Sequence, residues 1–459
     1  MISCYTLRVF KPYFSYNIPM SGIFVKTKKL ILLVGDIALF YSSLFLSLLI
    51  LRYNTINLDE WLDHVQAFSI IYLLIFIIFY INELYDLDVA QNVLVFGQKL
   101  AESILIGTVV AIGLFYFTPI FGITPKTNLF VNLATLSILI TSWRLLFNRI
   151  YHGRSLEQNI ILLGESREMI ELKNILNKKP LFGFRLVNPE TEHLYNFVHE
   201  NNINTIVIDE SIKNNPQITK QLYALIQKNV HVIDCLSFYE EVLGRIPTSS
   251  LDELWFVQNF NETGKKLFDQ AKKIIDMVGG ALMTIILTPI IVMVWIAVSL
   301  DDGGPLFYRQ TRVGKSGKLF RIIKFRTMRV DAEKDGAQFA AESDPRITRV
   351  GHFLRRYRLD ELPQIFNILK GEMSFIGPRP ERPEFTKDLE QAFPFYPLRY
   401  LIKPGLTGWA QVRYSYGASI EENLKKLQYD FYYIKHRSLI FEVMIFLKTL
   451  NLLLHPKGR

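Results

Sequence analysis

The chain has 459 residues, half of them hydrophobic and 21% charged, with a mean hydropathy of +0.19. The positive hydropathy and 13% aromatic content exclude a disordered or collagen-like chain and argue against a wholly soluble protein, while two cysteines, Cys4 and Cys235, exclude a disulfide scaffold and any multi-cysteine zinc site. The net charge of +9 is uneven: residues 264–459 hold 32 Lys and Arg against 20 Asp and Glu, so that part needs an anionic partner.

The length suggests about three domains. Mixed polar residues fill an N-terminal segment, 1–28, read as cytoplasmic and without a cleavable leader. Apolar segments follow at 30–51, 67–82, 101–123 and 129–147, and the first is long enough to cross the hydrocarbon core. Residues 29–150 therefore read as a four-helix transmembrane bundle. Lys26, Lys28 and Lys29 precede it and Arg144, Arg149 and Arg154 flank its end, whereas the first loop, apart from Arg52, is acidic with Asp59, Glu60 and Asp63. That bias puts both basic flanks, and everything after residue 150, in the cytoplasm.

Residues 155–262 are acidic and alternate in pattern. Runs at 159–164, 204–209 and 230–234 read as strands, separated by amphipathic helical stretches, which implies a parallel sheet. The first turn, from Gly164 to Met169, has one glycine where a dinucleotide fingerprint wants three, and Glu165 and Glu168 fall where a pyrophosphate would lie. The module is Rossmann-like without an obvious nucleotide.

Residues 274–300 are apolar and long enough to span a bilayer. Lysines 265, 266, 272 and 273 precede them, and Arg309, Arg312, Lys315 and Lys318 follow, so both flanks belong on the same side. Pro289 kinks or breaks a helix there, and Thr288 offers a hydroxyl to a freed carbonyl. A re-entrant helix satisfies these facts; a fifth span with a proline kink is the alternative.

Charge, glycine and proline concentrate in residues 301–415. Asp360-Glu361 follows Arg355, Arg356 and Arg358, with Pro363 in the first turn of an expected helix over 361–370 that Gly371 ends. Two adjacent carboxylates pointing apart can divide their work: one attacks phosphorus, the other holds a hard cation. Mg²⁺ suits one or two carboxylates plus phosphate oxygens, and arginines complement a phosphoryl group in transfer. A plain cap at a helix start and a lipid-facing arginine surface remain open for the same residues.

Residues 265–459 resemble the bacterial sugar transferase family, the polyprenyl-phosphate phosphoglycosyl transferases with a re-entrant membrane helix. The resemblance is carried by Lys324-Phe325-Arg326, Arg355 to Gln364, Gly377-Pro378-Arg379-Pro380 and Lys403 to Gln411, with Tyr416 to Ser419 and Leu427 to Lys435 pointing to the exopolysaccharide branch. It implies a mainly α catalytic domain and a ping-pong transfer of sugar 1-phosphate from a UDP-sugar to undecaprenyl phosphate. Asp360 would be the nucleophile and Glu361 the Mg²⁺ ligand, with Asp360 beside it; Arg355, Arg379, Lys324 and Arg326 would grip phosphates. Asp430 and Pro378 would support the site, and Thr288-Pro289 matches the helix break. The implied partners are membrane lipids of the bacterial inner membrane and a second copy of the chain, not nucleic acid. A nucleotide-sugar oxidoreductase built on 155–262 and a non-enzymatic membrane scaffold are the competing readings.

Overall fold

A computed structural model describes residues 20–455 apart from 53–56, 87–88, 90–92, 118–125, 152–157, 179–183, 190–192, 227, 229, 261, 303, 330–331, 333–343 and 415–418. Cys4, Arg154, Tyr416 and most of the 1–28 segment therefore lie outside the described residues. The chain forms two compact units, one running to Phe79 with Glu83–Val242, the other comprising Tyr80–Asn82 and Leu243–Arg459.

The first unit opens with α1 (Met20–Arg52), α2 (Leu58–Ile81), α3 (Val93–Phe117) and α4 (Lys126–Tyr151). Each contains a stretch of at least 22 residues that is long and apolar enough to cross a membrane. Their exposed faces carry residues such as Leu73, Leu105 and Ile138, while polar groups turn inward. Arg144 on α4 donates to Asp36 on α1 at 2.7 Å, with both side chains buried. Asn132 donates to Ser43 and to the Tyr72 hydroxyl, and Ser47 donates to Asn128. Away from water each such group needs an internal partner, and these bonds knit α1 and α2 to α4.

The α/β module follows: β1 (Gln158–Leu163), α5 (Arg167–Lys178), β2 (Phe184–Leu186), α6 (Leu194–Glu200), β3 (Ile203–Ile208), α7 (Glu210–Lys213), α8 (Pro216–Ile226), β4 (His231–Asp234) and α9 (Cys235–Leu243). Its strands are all parallel in the order β2-β1-β3-β4. Ile161, Leu163 and Ile206 are buried against Leu194, Val198 and Leu225, each worth about 1.5–3 kcal/mol of removal from water. The apolar runs of the sequence are β1, β3 and β4; β2 and α6 lacked a signal of their own.

The second unit begins with α10 (Glu253–Asn259) and α11 (Lys266–Asp302), a fifth helix apolar and long enough to cross a membrane. Pro289 lies inside it and the helix continues through. Thr288 Oγ1 donates to Thr284 O at 2.7 Å. The carbonyl that Pro289 leaves without its i+4 donor is that of Ile285, so the hydroxyl does not serve the freed group. Then come the hairpin β5 (Phe307–Val313) and β6 (Leu319–Phe325), α12 (Arg349–Arg356), a 3₁₀ segment Leu359–Gln364, and α13 (Ile365–Leu369). The rest comprises β7 (Ser374–Ile376), α14 (Pro383–Ala392), a 3₁₀ segment Tyr396–Leu401, β8 (Gly405–Thr407), α15 (Trp409–Arg413), α16 (Ile420–His436) and α17 (Leu439–Leu454). An aromatic core of Phe256, Tyr396, Trp409, Phe431 and Tyr433 holds these short pieces together.

Both halves of α11 pack on this unit. Near its start, the buried Asp276 accepts from Ser374 Oγ at 3.0 Å and Phe375 N at 3.1 Å. Near its end, Val294 and Val298 are buried with Phe325 and Leu354. Between them Leu282, Ile285, Ile286 and Met293 face outward.

Candidate active site

The expected helix over 361–370 divides in two. Arg358 adopts a left-handed conformation (φ 54°) that ends the preceding turn, and Leu359–Gln364 is a 3₁₀ segment. Pro363 has no N–H to give and restricts the residue before it, so regular α-helical bonding begins only at Ile365. Asp360 and Glu361 therefore project from the 3₁₀ segment, not from an α-helix N-terminus, and both are nearly buried.

Three neighbouring elements bring cations to this pair. Strand β6 supplies Lys324, whose Nζ lies 3.3 Å from Glu361 Oε1. Thr348 caps α12 by accepting from Gly351 N, and the last turn of that helix carries Arg355. Arg355 Nε donates to Thr327 Oγ1 at 2.8 Å. The third element is the loop after β7. Strands β7 and β8 pair in parallel, with Gly377 N bonded to Thr407 O and Gly405 N to Pro378 O. A Cβ on Gly405 would stand 2.1 Å from Gly377 N, so only glycine allows this approach. Beyond it, Arg379 Nη2 donates to Glu361 Oε1 at 2.6 Å.

The two carboxyl groups are pushed in opposite directions. Burial, then the adjacent Glu361 charge, pushes the Asp360 carboxyl above the ordinary carboxylate range, against Lys324, Arg355 and Arg379. Burial also disfavours a charged Glu361, but Arg379, Lys324 and the hydrogen bond from Arg379 outweigh it and hold Glu361 well below its usual value. Among the described residues, no side chain hydrogen-bonds or ion-pairs with the Asp360 carboxylate, whereas Glu361 Oε1 takes both cations.

Asp360 and Glu361 line a cavity of about 610 Å³ together with Lys324, Arg326, Arg355, Arg379 and Asp430. That volume suits a nucleotide-sized ligand. Arg326 commits its Nε to Pro305 O at 2.8 Å, and Asp430 is ion-paired with Arg399 at 2.8 Å. Burial pushes the Asp430 carboxyl up to about 6 even beside that guanidinium. Pro378 turns its carbonyl to Gly405, while Thr288 and Pro289 do not line this cavity. Arg312 and Thr327, which stand in the sequence motifs without a role, also line it, and so does Arg399, which motif reading missed; a lone arginine amid Phe395, Tyr396, Leu398 and Tyr400 was the available signal for it.

As to a metal, two adjacent carboxylates reach the cavity, and Glu361 Oε2 accepts no hydrogen bond among the described residues. A hard divalent cation shared with phosphate oxygens fits that donor set.

Residues 267–456 match the family described as bacterial sugar transferase. The chain is 39% identical over 223 residues to the UDP-N-acetylgalactosamine-undecaprenyl-phosphate N-acetylgalactosaminephosphotransferase of Aeromonas hydrophila, covering 48% of this chain and 51% of that protein. It is 39% identical over 180 residues to the UDP-glucose:undecaprenyl-phosphate glucose-1-phosphate transferase of Escherichia coli K12, covering 39% of each. A protein of the same description from Caulobacter vibrioides is 38% identical over 188 residues, 40% of this chain and 70% of the relative. The chain thus spans about half the length of the first relative and less of the second. With its C-terminal part matched from 267 to 456, and with a relative covered over 70% of its length, the chain belongs to the bacterial sugar transferase family.

Proposed function

We propose that the protein transfers a sugar 1-phosphate from a UDP-sugar to undecaprenyl phosphate and releases UMP, as an early membrane step of exopolysaccharide assembly. The observation that carries this reading is the pair of adjacent carboxylates in unlike surroundings on one cavity wall: Glu361 tied to Arg379 and Lys324, Asp360 facing the cavity untied. In the first half-reaction an Asp360 oxygen attacks the β-phosphorus. The bond to the bridging oxygen breaks, and UMP leaves with the electron pair. In the second, a phosphate oxygen of the lipid attacks the same phosphorus, and Asp360 departs as a free carboxylate. Two steps let a soluble dianion and a long lipid use one cavity in turn. Glu361 and Asp360 would hold Mg²⁺, which when bound offsets the repulsion between carboxylate and diphosphate. Arg355 and Arg379 supply positive charge for the phosphoryl oxygens, with Lys324 and Arg326 on the same wall.

The membrane arrangement follows from α11. Both ends of this helix are packed on one domain while its apolar middle faces outward, which supports a helix that enters and leaves on the same side. With α1–α4 as a transmembrane bundle and Lys26, Lys28 and Lys29 at the start of α1 inside, the catalytic domain faces the cytoplasm at the inner membrane.

Purified protein given a panel of UDP-sugars, Mg²⁺ and undecaprenyl phosphate tests the proposal by UMP release. With the donor alone, intact mass should rise by one phosphosugar on Asp360. Kinetics that require both substrates bound together, with no adduct, would overturn the covalent route.

A further inference from the structure

The segment Gly377 to Glu381, which carries Arg379, contains two prolines and so has few amides with which to brace itself. Its carbonyls are held from outside instead. Just ahead of it Tyr433 Oη donates to Ile376 O at 3.2 Å, and within it Gly405 N donates to Pro378 O at 2.9 Å and Val313 N to Glu381 O at 3.0 Å. The two carbonyls between them go to guanidinium groups: Arg399 Nη2 donates to Arg379 O at 3.0 Å, and Arg312 Nη1 to Pro380 O at 3.0 Å.

Neither arginine is a loose surface cation. Arg399 is buried, its Nη2 also donates to the buried Asp430 at 2.8 Å, and its Nη1 bonds the Tyr396 hydroxyl. Arg312 is oriented by two bonds to Gln310 Oε1, at 2.6 and 3.1 Å. A planar fork with several donors can meet a carboxylate, a hydroxyl and a carbonyl together, which a lysine cannot.

We propose that Arg399 and Arg312 are positioning residues of the transfer site: they clamp the consecutive carbonyls of Arg379 and Pro380 and so fix the arm from which Arg379 reaches Glu361. Asp430 then serves the site as the counter-ion that aims Arg399. The clamp deepens the transfer reading and rests on it only for its kinetic consequence.

The test uses the full chain in nanodiscs with Arg399→Lys and Arg312→Gln. Amide exchange over 374–382 should quicken about tenfold with the rest of the domain unchanged, as for a local opening. UMP release from UDP-glucose or UDP-N-acetylgalactosamine should lose about 30- to 100-fold in kcat, with KM within about threefold, as expected for a misplaced group. In an Arg379→Ala background, Arg399→Lys should cost less than about twofold more, because it acts through that residue. Unchanged exchange in both variants, or losses that multiply in the double variant, would overturn the clamp. If Arg399→Lys melts the whole domain, Arg312→Gln decides by the same local exchange. A parent chain that releases no UMP from any UDP-sugar sinks the transfer reading, while the exchange measurement still decides the clamp.

Discussion

Two places in this molecule bring charge to a turn that could receive a phosphate, and they resolve it in opposite ways. In the α/β module, the turn after β1 is closed by the protein itself. Gly164 has φ 129°, and a Cβ there would meet Asp209 Cγ at 2.1 Å. Asp209 Oδ2 accepts from Ser166 N at 3.0 Å, just ahead of α5, and its Oδ1 accepts from Ser211 N at 3.1 Å. The anion that a helix start favours is thus built in. In the cavity around Asp360, Lys324, Arg355, Arg358, Arg379 and Arg382 surround two carboxylates, so positive charge remains for a ligand. The regular sheet has used its anion seat internally, and the irregular segments keep theirs available. Fold likeness alone would have pointed to the turn after β1, not to this cavity.

The contrast is broken most directly at the cavity. Asp360→Asn should lower UMP release by at least about 10⁴-fold, the scale seen when the nucleophile of a covalent route is lost. The variant should still insert and purify as the parent does. Chelation by EDTA should abolish turnover in the parent, and added Mg²⁺ should restore it; metal-independent turnover would remove the role given to Glu361. Arg379→Lys should cost about 10²-fold, because a point charge replaces a fork aimed at Glu361.

The pH profile sharpens the same point. In the proposed covalent route Asp360 must be ionised to attack, and burial with the Glu361 charge raises its pKa. The rate should therefore fall as pH drops through a value above about 4, the ordinary carboxylate figure. Glu361→Gln removes the negative neighbour and frees Lys324 and Arg379, so the acid limb of its residual rate should move down. An acid limb that stays in place would show that another group titrates.

How much of this was legible depended on whether a signal was local. Apolar runs exposed β1, β3 and β4 because buried parallel strands need continuous hydrophobicity. The three-residue β2 lacks the length to show a period. The Asp360-Glu361 pair and the Gly-Pro-Arg-Pro turn stand out as ordered motifs, but the helix expected over 361–370 overlooked what Pro363 withholds from α-helical bonding. Arg399 was illegible for another reason: its partners Arg379 and Asp430 lie 20 and 31 residues away, and only tertiary packing unites them.

The smallest effect belongs to the closed seat. Burial raises the Asp209 pKa, but hydrogen bonds from Ser211 and from the backbone of Ser166, Ile212 and Ser211 outweigh it, so the net direction is down. A depressed carboxyl contributes stability that is present above its unfolded pKa of about 4 and is lost as pH falls through the lower folded value. Asp209→Ala should cost about 1 kcal/mol, the usual worth of a helix cap. It should also quicken amide exchange at the start of α5 and erase the acid-side loss of protection there. UMP release per folded molecule should stay within about twofold, since Asp209 lines no part of the Asp360 cavity. The parent should show no thermal shift with NAD⁺ at millimolar concentration. A clear shift would mean that the carboxylate yields its place to a dinucleotide, and the opposition between a closed seat and an open cavity would fail.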